Sequence, residues 1–366
     1  MQLVYLSPVP WFSFSQRPHK FVEWFHEYSG GNVLWVDPYP TRFPAWGDWR
    51  RIGVRKDIVS YRIPHWLTVV RPRALPIEPM PASGWVNGIF WRGLLKDIIC
   101  FALKAPTMVA IGKPSVLALE MLKSMNGIPF LYDAMDNFPA FYSGISRLAM
   151  AAREKSLAGR VTHLFASSTT LQKRWLEIRG DVRLVRNGLD INVLPTPKFK
   201  VSQRSKKVLG YVGTVGNWFD WDWVITLARV RPKDTVRLIG PVLMPPPCHL
   251  PSNIEFLPAL EHTVALQAML DFDVGLIPFK LNELTASVDP IKYYEYRALG
   301  LPVVSTAFGE MTLRAAEKGT YLSYEYQSIN DLISEALIYW PDMEEIQKFR
   351  ANNSWPARFK ATGILS

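Results

Sequence analysis

Residues Asp273 to Ser305 read DVGLIPFKLNELTASVDPIKYYEYRALGLPVVS. Val274–Ile277 is an apolar run of strand length, Pro290–Ala298 is helical with its proline at the start, and Pro302–Ser305 is a second apolar run. Two such runs joined through a helix form a parallel strand–helix–strand unit, because parallel neighbours need a crossover connection. The pattern extends outward in both directions. Strands are predicted at Lys207–Tyr211, Thr235–Ile239 and Ile254–Leu257, with helices near Trp221–Arg229, Thr263–Leu270 and Ile329–Trp340. The first half repeats the plan. Its predicted strands are Leu3–Leu6, Val33–Val36, Thr107–Ile111, Pro129–Tyr132, His163–Ala166 and Val182–Val185, and its predicted helices are Pro18–Tyr28, Ser115–Met125, Ile145–Leu157 and Thr169–Ile178. This alternation is the signature of an α/β protein with two parallel sheets and a cleft between them.

At 366 residues and 48% hydrophobic composition the chain suffices for two cores. The proline- and lysine-containing segment Leu194–Lys200 suits an extended linker. It divides residues 1–194 from 195–345, and residues 346–366 are expected to form a closing helix that packs on the first domain. No uncharged apolar run reaches the roughly 18 residues of a membrane span, and Leu3–Val9 is too short and proline-bound for a signal peptide. Cys100 and Cys248 form no CxxC unit, and the six histidines show no HExxH or HxH spacing. A disulfide framework, a protein-built metal site and a metal cofactor are therefore not expected, and a reducing cytoplasm fits.

The net charge of +10 is unevenly placed: residues 1–190 hold 24 Lys+Arg against 14 Asp+Glu, and residues 191–366 hold 18 against 18. A basic excess confined to one half points to an anionic partner for that half. The stretch from 42 to 104 fits the α/β pattern worst, being crowded with Trp46, Trp49, Arg50, Arg51, Arg55, Lys56, Trp66, Arg71, Arg73, Trp85, Trp91 and Arg92. It reads as a surface insertion, with Gly84–Ile99 an interfacial helix at an anionic membrane surface. Buried core accounts for some of the tryptophans, and nucleic-acid binding is the remaining alternative.

Several residues stand out as chemistry-bearing. Gly213 and Gly216, flanking Thr214 after a strand, allow backbone N–H groups to approach a diphosphate. Asp289 can cap a helix whose first position is Pro290, which puts Lys292 in the first turn, where the macrodipole disfavours a cation. A bound diphosphate would compensate, and Glu295 shares that face at i+3. A solvated Lys–Glu pair is the plainer explanation. Asp133 and Asp136 lie beyond the strand Pro129–Tyr132, where α/β sheets place ligands. Either could serve as a general base, Asp136 being preferred as the more distal, and each could instead be a loop or capping aspartate. Arg17 and His19 follow the first strand as contacts for phosphate or acceptor, or as a helix-start cap.

Gly210–Gly216, Trp218–Asp222, Asp273–Phe279, Asp289–Tyr296 and Gly300–Val304, taken in order, resemble the donor-binding half of GT-B glycosyltransferases of the family 4 type, including the teichuronic-acid and exopolysaccharide transferases. Leu131–Phe138, Ala166–Ser168, Arg186–Asp190 and Asn353–Trp355 with Arg358 extend the resemblance over nearly the whole chain. The resemblance implies a nucleotide-sugar donor, UDP-linked, held by Gly213, Thr214, Gly216, Arg186, Lys292, Tyr293 and Glu295, with Glu295 on the ribose. It also implies a lipid-linked glycan acceptor and residence at the inner face of the plasma membrane. Retaining members carry a second glutamate eight positions earlier, which is Ser287 here. That departure weakens a direct transfer of the retaining mechanism, though Glu283 or Asp289 could replace the missing carboxylate at a different spacing. Inversion by an aspartate base is preferred to retention, and a non-catalytic homologue that organises an assembly complex is the rival that the missing glutamate supports.

Overall fold

The computed structural model describes residues 1–43, 63–197, 204–247, 249–339 and 341–365. Contacts divide the chain into two units, Met1–Val185 with Thr362–Ser366, and Arg186–Ala361.

The first unit runs β1 (Gln2–Leu6), α1 (Arg17–Ser29), β2 (Val33–Val36), β3 (Leu67–Val70), α2 (Ser83–Ala102), β4 (Thr107–Ile111), α3 (Val116–Ser124), β5 (Phe130–Ala134), α4 (Gly144–Ala158), β6 (His163–Ala166), α5 (Thr169–Leu176) and β7 (Val182–Leu184). Its strands pair in the order β3-β2-β1-β4-β5-β6-β7, all parallel. Alternate residues of a strand face opposite sides. Val4 and Leu6 accordingly join a core with Trp91 and Ile98 of α2, Met121 of α3 and Leu157 of α4, whereas Tyr5 stacks on Trp35 and meets Phe21 of α1 on the other side. Sheets with both faces covered need continuous apolar runs, and that is why these strands were legible.

Residues 63–104 are not the expected surface insertion. Leu67–Val70 pairs with β2 as the edge strand, and α2 buries Trp91, Ile98 and Asn87. The Asn87 amide both accepts from Leu75 N–H and donates to Leu75 O, which fixes the approach to the helix. Trp46, Trp49, Arg50, Arg51, Arg55 and Lys56 lie outside the described residues. No helix among the described residues is long and apolar enough to cross a membrane.

The second unit runs β8 (Val208–Val212), α6 (Trp221–Val230), β9 (Thr235–Ile239), β10 (Ile254–Leu257), α7 (His262–Met269), β11 (Val274–Ile277), α8 (Ile291–Ala298), β12 (Val303–Thr306), β13 (Thr320–Ser323), α9 (Ile329–Leu337), α10 (Met343–Asn352) and α11 (Trp355–Lys360). Its parallel sheet has the order β10-β9-β8-β11-β12-β13. In each sheet the direction of strand addition reverses once, at β1/β4 and at β8/β11, and such switch points open a crevice at the strand C-terminal ends.

The division between units falls before the expected linker. Leu194 packs with the second core, and Pro195 O accepts from the Arg350 guanidinium, so these residues already belong to the second unit; Lys198–Lys200 lie outside the described residues. The chain's last helices differ from expectation as well. Leu189 and residues 353–355 exchange backbone hydrogen bonds, and Phe349 of α10 meets Tyr293 and Tyr294, which keeps α10 and α11 in the second unit. Only Thr362–Ser366 join the first unit, where Thr362 O accepts from Arg183 of the edge strand β7.

Candidate active site

In the first unit the candidate residues gather at the end of β5. The strand extends to Ala134, so Asp133 lies inside it rather than beyond it and is fully buried. Its two carboxylate oxygens accept from Arg17 Nε and Nη2 at 2.8 and 2.7 Å, and Arg17 Nη1 donates to Val185 O. This bidentate, buried pair engages both partners. It speaks against Arg17 as a phosphate ligand and Asp133 as a base, because the guanidinium is committed to Asp133 and Val185 O and both carboxylate oxygens of the fully buried Asp133 are engaged. His19 is likewise structural. Its Nδ1 accepts from Gln16 N–H at the start of α1, so Nε2 carries the hydrogen donated to Trp11 O at 3.0 Å. Burial among Trp11 and Trp35 lowers its pKa to about 4, which keeps the ring neutral.

Asp136 follows in the bend after β5 and is only partly covered. Burial is the main cause of a pKa raised to about 7; Arg17 opposes the rise and the Asp133 charge adds to it. The bend is pinned on both sides. Ser167 Oγ donates to Met135 O at 2.9 Å, and Arg174 spans Asn137 Oδ1 and the buried Glu154, which also accepts from Tyr132. Asp136 thus combines fixed geometry with an acidity near neutrality, the requirement for a general base.

In the second unit the turn after β8 sits at the switch point. Gly213 adopts φ +151°, and a Cβ there would meet the Tyr211 hydroxyl at 2.8 Å. Not every amide is free for an anion: Gly213 N–H donates to Ile239 O and Val215 N–H to Pro241 O. The Thr214 and Gly216 amides have no acceptor among the described residues, which leaves alternate N–H groups of the turn for a ligand.

Lys292 occupies the first turn of α8, as expected, but its compensation is built into the chain. Its ammonium lies 2.8 Å from Glu295 Oε2, and His262, the first residue of α7, lies 2.7 Å from Oε1. Burial alone would raise the Glu295 pKa, yet Lys292 and His262 together lower it to about 2. The pair is therefore not a solvated one. Glu295 is buried, while Lys292 and His262 stay partly exposed.

Asp289 does not cap α8; Pro290 holds the N-cap position, and the Asp289 carboxylate is committed to Arg314 at 2.5 Å, the Tyr294 hydroxyl and Asn187 N–H. Tyr293, expected among the donor contacts, is buried instead, its hydroxyl donating to Glu317 and its ring lying under Arg314. Arg186 is partly exposed and pairs with the buried Glu310 at 2.9 Å. His262, Glu310 and Arg314 escaped the sequence reading because each meets its partner across tens of residues with no local spacing to announce it.

Over 100% of this chain and 98% of the other, the structure superposes on sucrose-phosphate synthase from Thermosynechococcus elongatus with a TM-score of 0.70 at 13% identity. The chain has the GT-B fold. A second GT-B match is AviGT4, a glycosyltransferase involved in avilamycin A biosynthesis, with a TM-score of 0.62, 13% identity and coverage of 99% and 96%. A third is trehalose-6-phosphate synthase studied for glycosyl transfer with retention, at 0.60, 12% identity and 98% of each chain. In sequence, the chain is 27% identical over 198 residues to TuaH of Bacillus subtilis (strain 168), which carries the provisional name of a teichuronic acid biosynthesis glycosyltransferase. That match covers 48% of this chain and about half, 50%, of the relative. No protein-family model matches the chain.

Proposed function

We propose that the chain is a glycosyltransferase that moves a sugar from a nucleoside diphosphate donor, UDP-linked, to a lipid-linked or membrane-proximal glycan in bacterial surface polysaccharide synthesis, working at the inner face of the plasma membrane. The observation that carries this reading is the Lys292–Glu295–His262 cluster at the start of α8 within a GT-B fold. One of the three ammonium hydrogens of Lys292 is used by Glu295, and the others suit phosphate oxygens. Lys292 and the open amides at the start of α8 would stabilise the charge that grows on the departing diphosphate. Glu295, held ionised, is an acceptor for ribose hydroxyls. Thr214 and Gly216 N–H supply further anion contacts.

On the acceptor side, Asp136 takes the proton from the acceptor hydroxyl as its oxygen bonds to the anomeric carbon. The bond to the diphosphate breaks with its electron pair leaving on phosphate oxygen, and the sugar inverts. A second reading is retention, supported by the match to trehalose-6-phosphate synthase, an enzyme studied for glycosyl transfer with retention. In it the acceptor approaches from the leaving-group side and Asp136 orients it.

Purified protein incubated with UDP-glucose, UDP-galactose or UDP-N-acetylglucosamine and a polyprenyl-diphosphate-linked sugar should release UDP. Proton NMR of the product distinguishes inversion from retention. Absence of both turnover and calorimetric UDP binding would overturn the proposal.

A further inference from the structure

The α2–α3–α4 layer of the first unit leaves a face that no other described element covers. On α2, Trp85, Ile89, Arg92, Lys96, Cys100 and Leu103 fall on one stripe at helical spacing, opposite the buried Asn87, Trp91 and Ile98. Trp85 is 77% exposed, with Ile89 and Phe90 beside it. On α4, Ile145 and Leu148 are 65% and 72% exposed, opposite the buried Met150, Glu154 and Leu157. Trp85, at the start of α2, borders a depression that Ala149 of α4 also lines. A groove of about 470 Å³ is lined by Gly84 and Trp85 of α2, Glu120 of α3, and Ala149 and Arg153 of α4.

Cations are interleaved with the apolar side chains on both helices: Arg147 lies between Ile145 and Leu148, and the exposed Leu103 follows Arg92 and Lys96. Arg92 and Lys96 come in the turns after Ile89, and Lys155 and Arg160 come after Leu148, all exposed. The carboxylates on this face are Asp97 and Glu120, and Glu120 is paired with Lys123 at 2.7 Å. Large exposed side chains scattered singly would need no explanation. Here five of them sit near the starts of α2 and α4 among exposed cations, a combination that suits a bilayer, where apolar side chains enter the acyl boundary and Lys and Arg meet anionic headgroups.

We propose that the first unit docks on an anionic membrane surface through this face, Trp85, Ile89, Phe90, Ile145 and Leu148 inserting while Arg92, Lys96, Lys155 and Arg160 contact headgroups. This deepens the membrane-proximal reading above and rests on it only for the purpose of docking, since vesicle binding is measured without turnover.

The test is cosedimentation of the full chain with phosphatidylcholine vesicles, with and without phosphatidylglycerol. Wild type should pellet with the anionic vesicles only, and less as salt rises. Arg92→Glu/Lys96→Glu should weaken binding about tenfold or more. Trp85→Ser/Leu148→Ser should weaken it in a salt-insensitive way. Lys206→Glu/Lys233→Glu, the same charge change on exposed residues of the second unit, should leave it unchanged. Circular dichroism checks that each variant is folded. The proposal is overturned if wild type fails to pellet with anionic vesicles, if both charge variants lose binding equally, or if Trp85→Ser/Leu148→Ser instead abolishes a concentration-dependent dimer and leaves vesicle binding intact. Failure here with UDP turnover preserved would remove the docking face and leave the transferase standing.

Discussion

Asp136 and Glu295 are carboxylates in similar company, each in a poorly solvated setting with cations near, yet one is pushed up to about 7 and the other pulled down to about 2. The difference lies in how the cations are shared. In the first unit Arg17 is clasped bidentately by Asp133, so Asp136 receives an attraction from a shared guanidinium and a repulsion from the neighbouring aspartate. In the second unit Lys292 and His262 each engage a separate oxygen of one carboxylate. Burial acts in the same direction on both; the count of committed cations decides the sign. A residue able to take a proton and a residue fixed as an acceptor follow from the same two ingredients.

The sharpest way to break this contrast is to remove the exchangeable proton. Asp136→Asn should lower turnover by about 10²–10⁴-fold with nucleoside diphosphate affinity intact, measured by UDP release and calorimetry. Near-normal turnover would refute the assignment. The buried pair beside it comes next. Arg17→Ala leaves Asp133 buried and unpaired, so chemical denaturation should show a loss of about 3–5 kcal/mol, and Arg17→Lys a smaller one. Lys292→Ala should weaken UDP binding by roughly 1.5–3 kcal/mol, the scale of a charge-assisted hydrogen bond; unchanged affinity would take Lys292 out of the site. The gentlest probe is pH. The base form of Asp136 exists above its raised pKa, so log kcat/KM should climb with a slope of one, about tenfold per unit, and level off above about 7. Glu295, already ionised far below that range, should add no break near neutrality, and a break that survives Asp136→Asn would assign the titration elsewhere.

Both sheets were readable because fully covered strands such as Leu3–Leu6 and Val274–Ile277 admit nothing but apolar residues. The two strands that escaped, Leu67–Val70 and Thr320–Ser323, lie at sheet edges, and their sequences mix Leu, Val and Tyr with Thr and Ser. Local rules located Lys292 and Glu295 at their i,i+3 spacing, and strand position located Asp136. They failed at Asp289, whose capping role is a local option outbid by Arg314, 25 residues away, and at Tyr293, where a polar tip on an aromatic body gave no clue that the ring turns inward. Long-range ion pairs leave no periodic trace, and half of the candidate chemistry is made of them.

The tie between Arg183 on β7 and Thr362 has a meaning for biogenesis. The edge strand of the first sheet waits for a partner made 179 residues later. At synthesis rates of about 5–20 residues per second, that interval is roughly 10–35 s. During it the first sheet has all its strands while the carbonyl that the Arg183 guanidinium finally meets does not yet exist. A charged arginine in the middle of a three-residue edge strand is suited to that interval, since edge charges discourage strand-to-strand association.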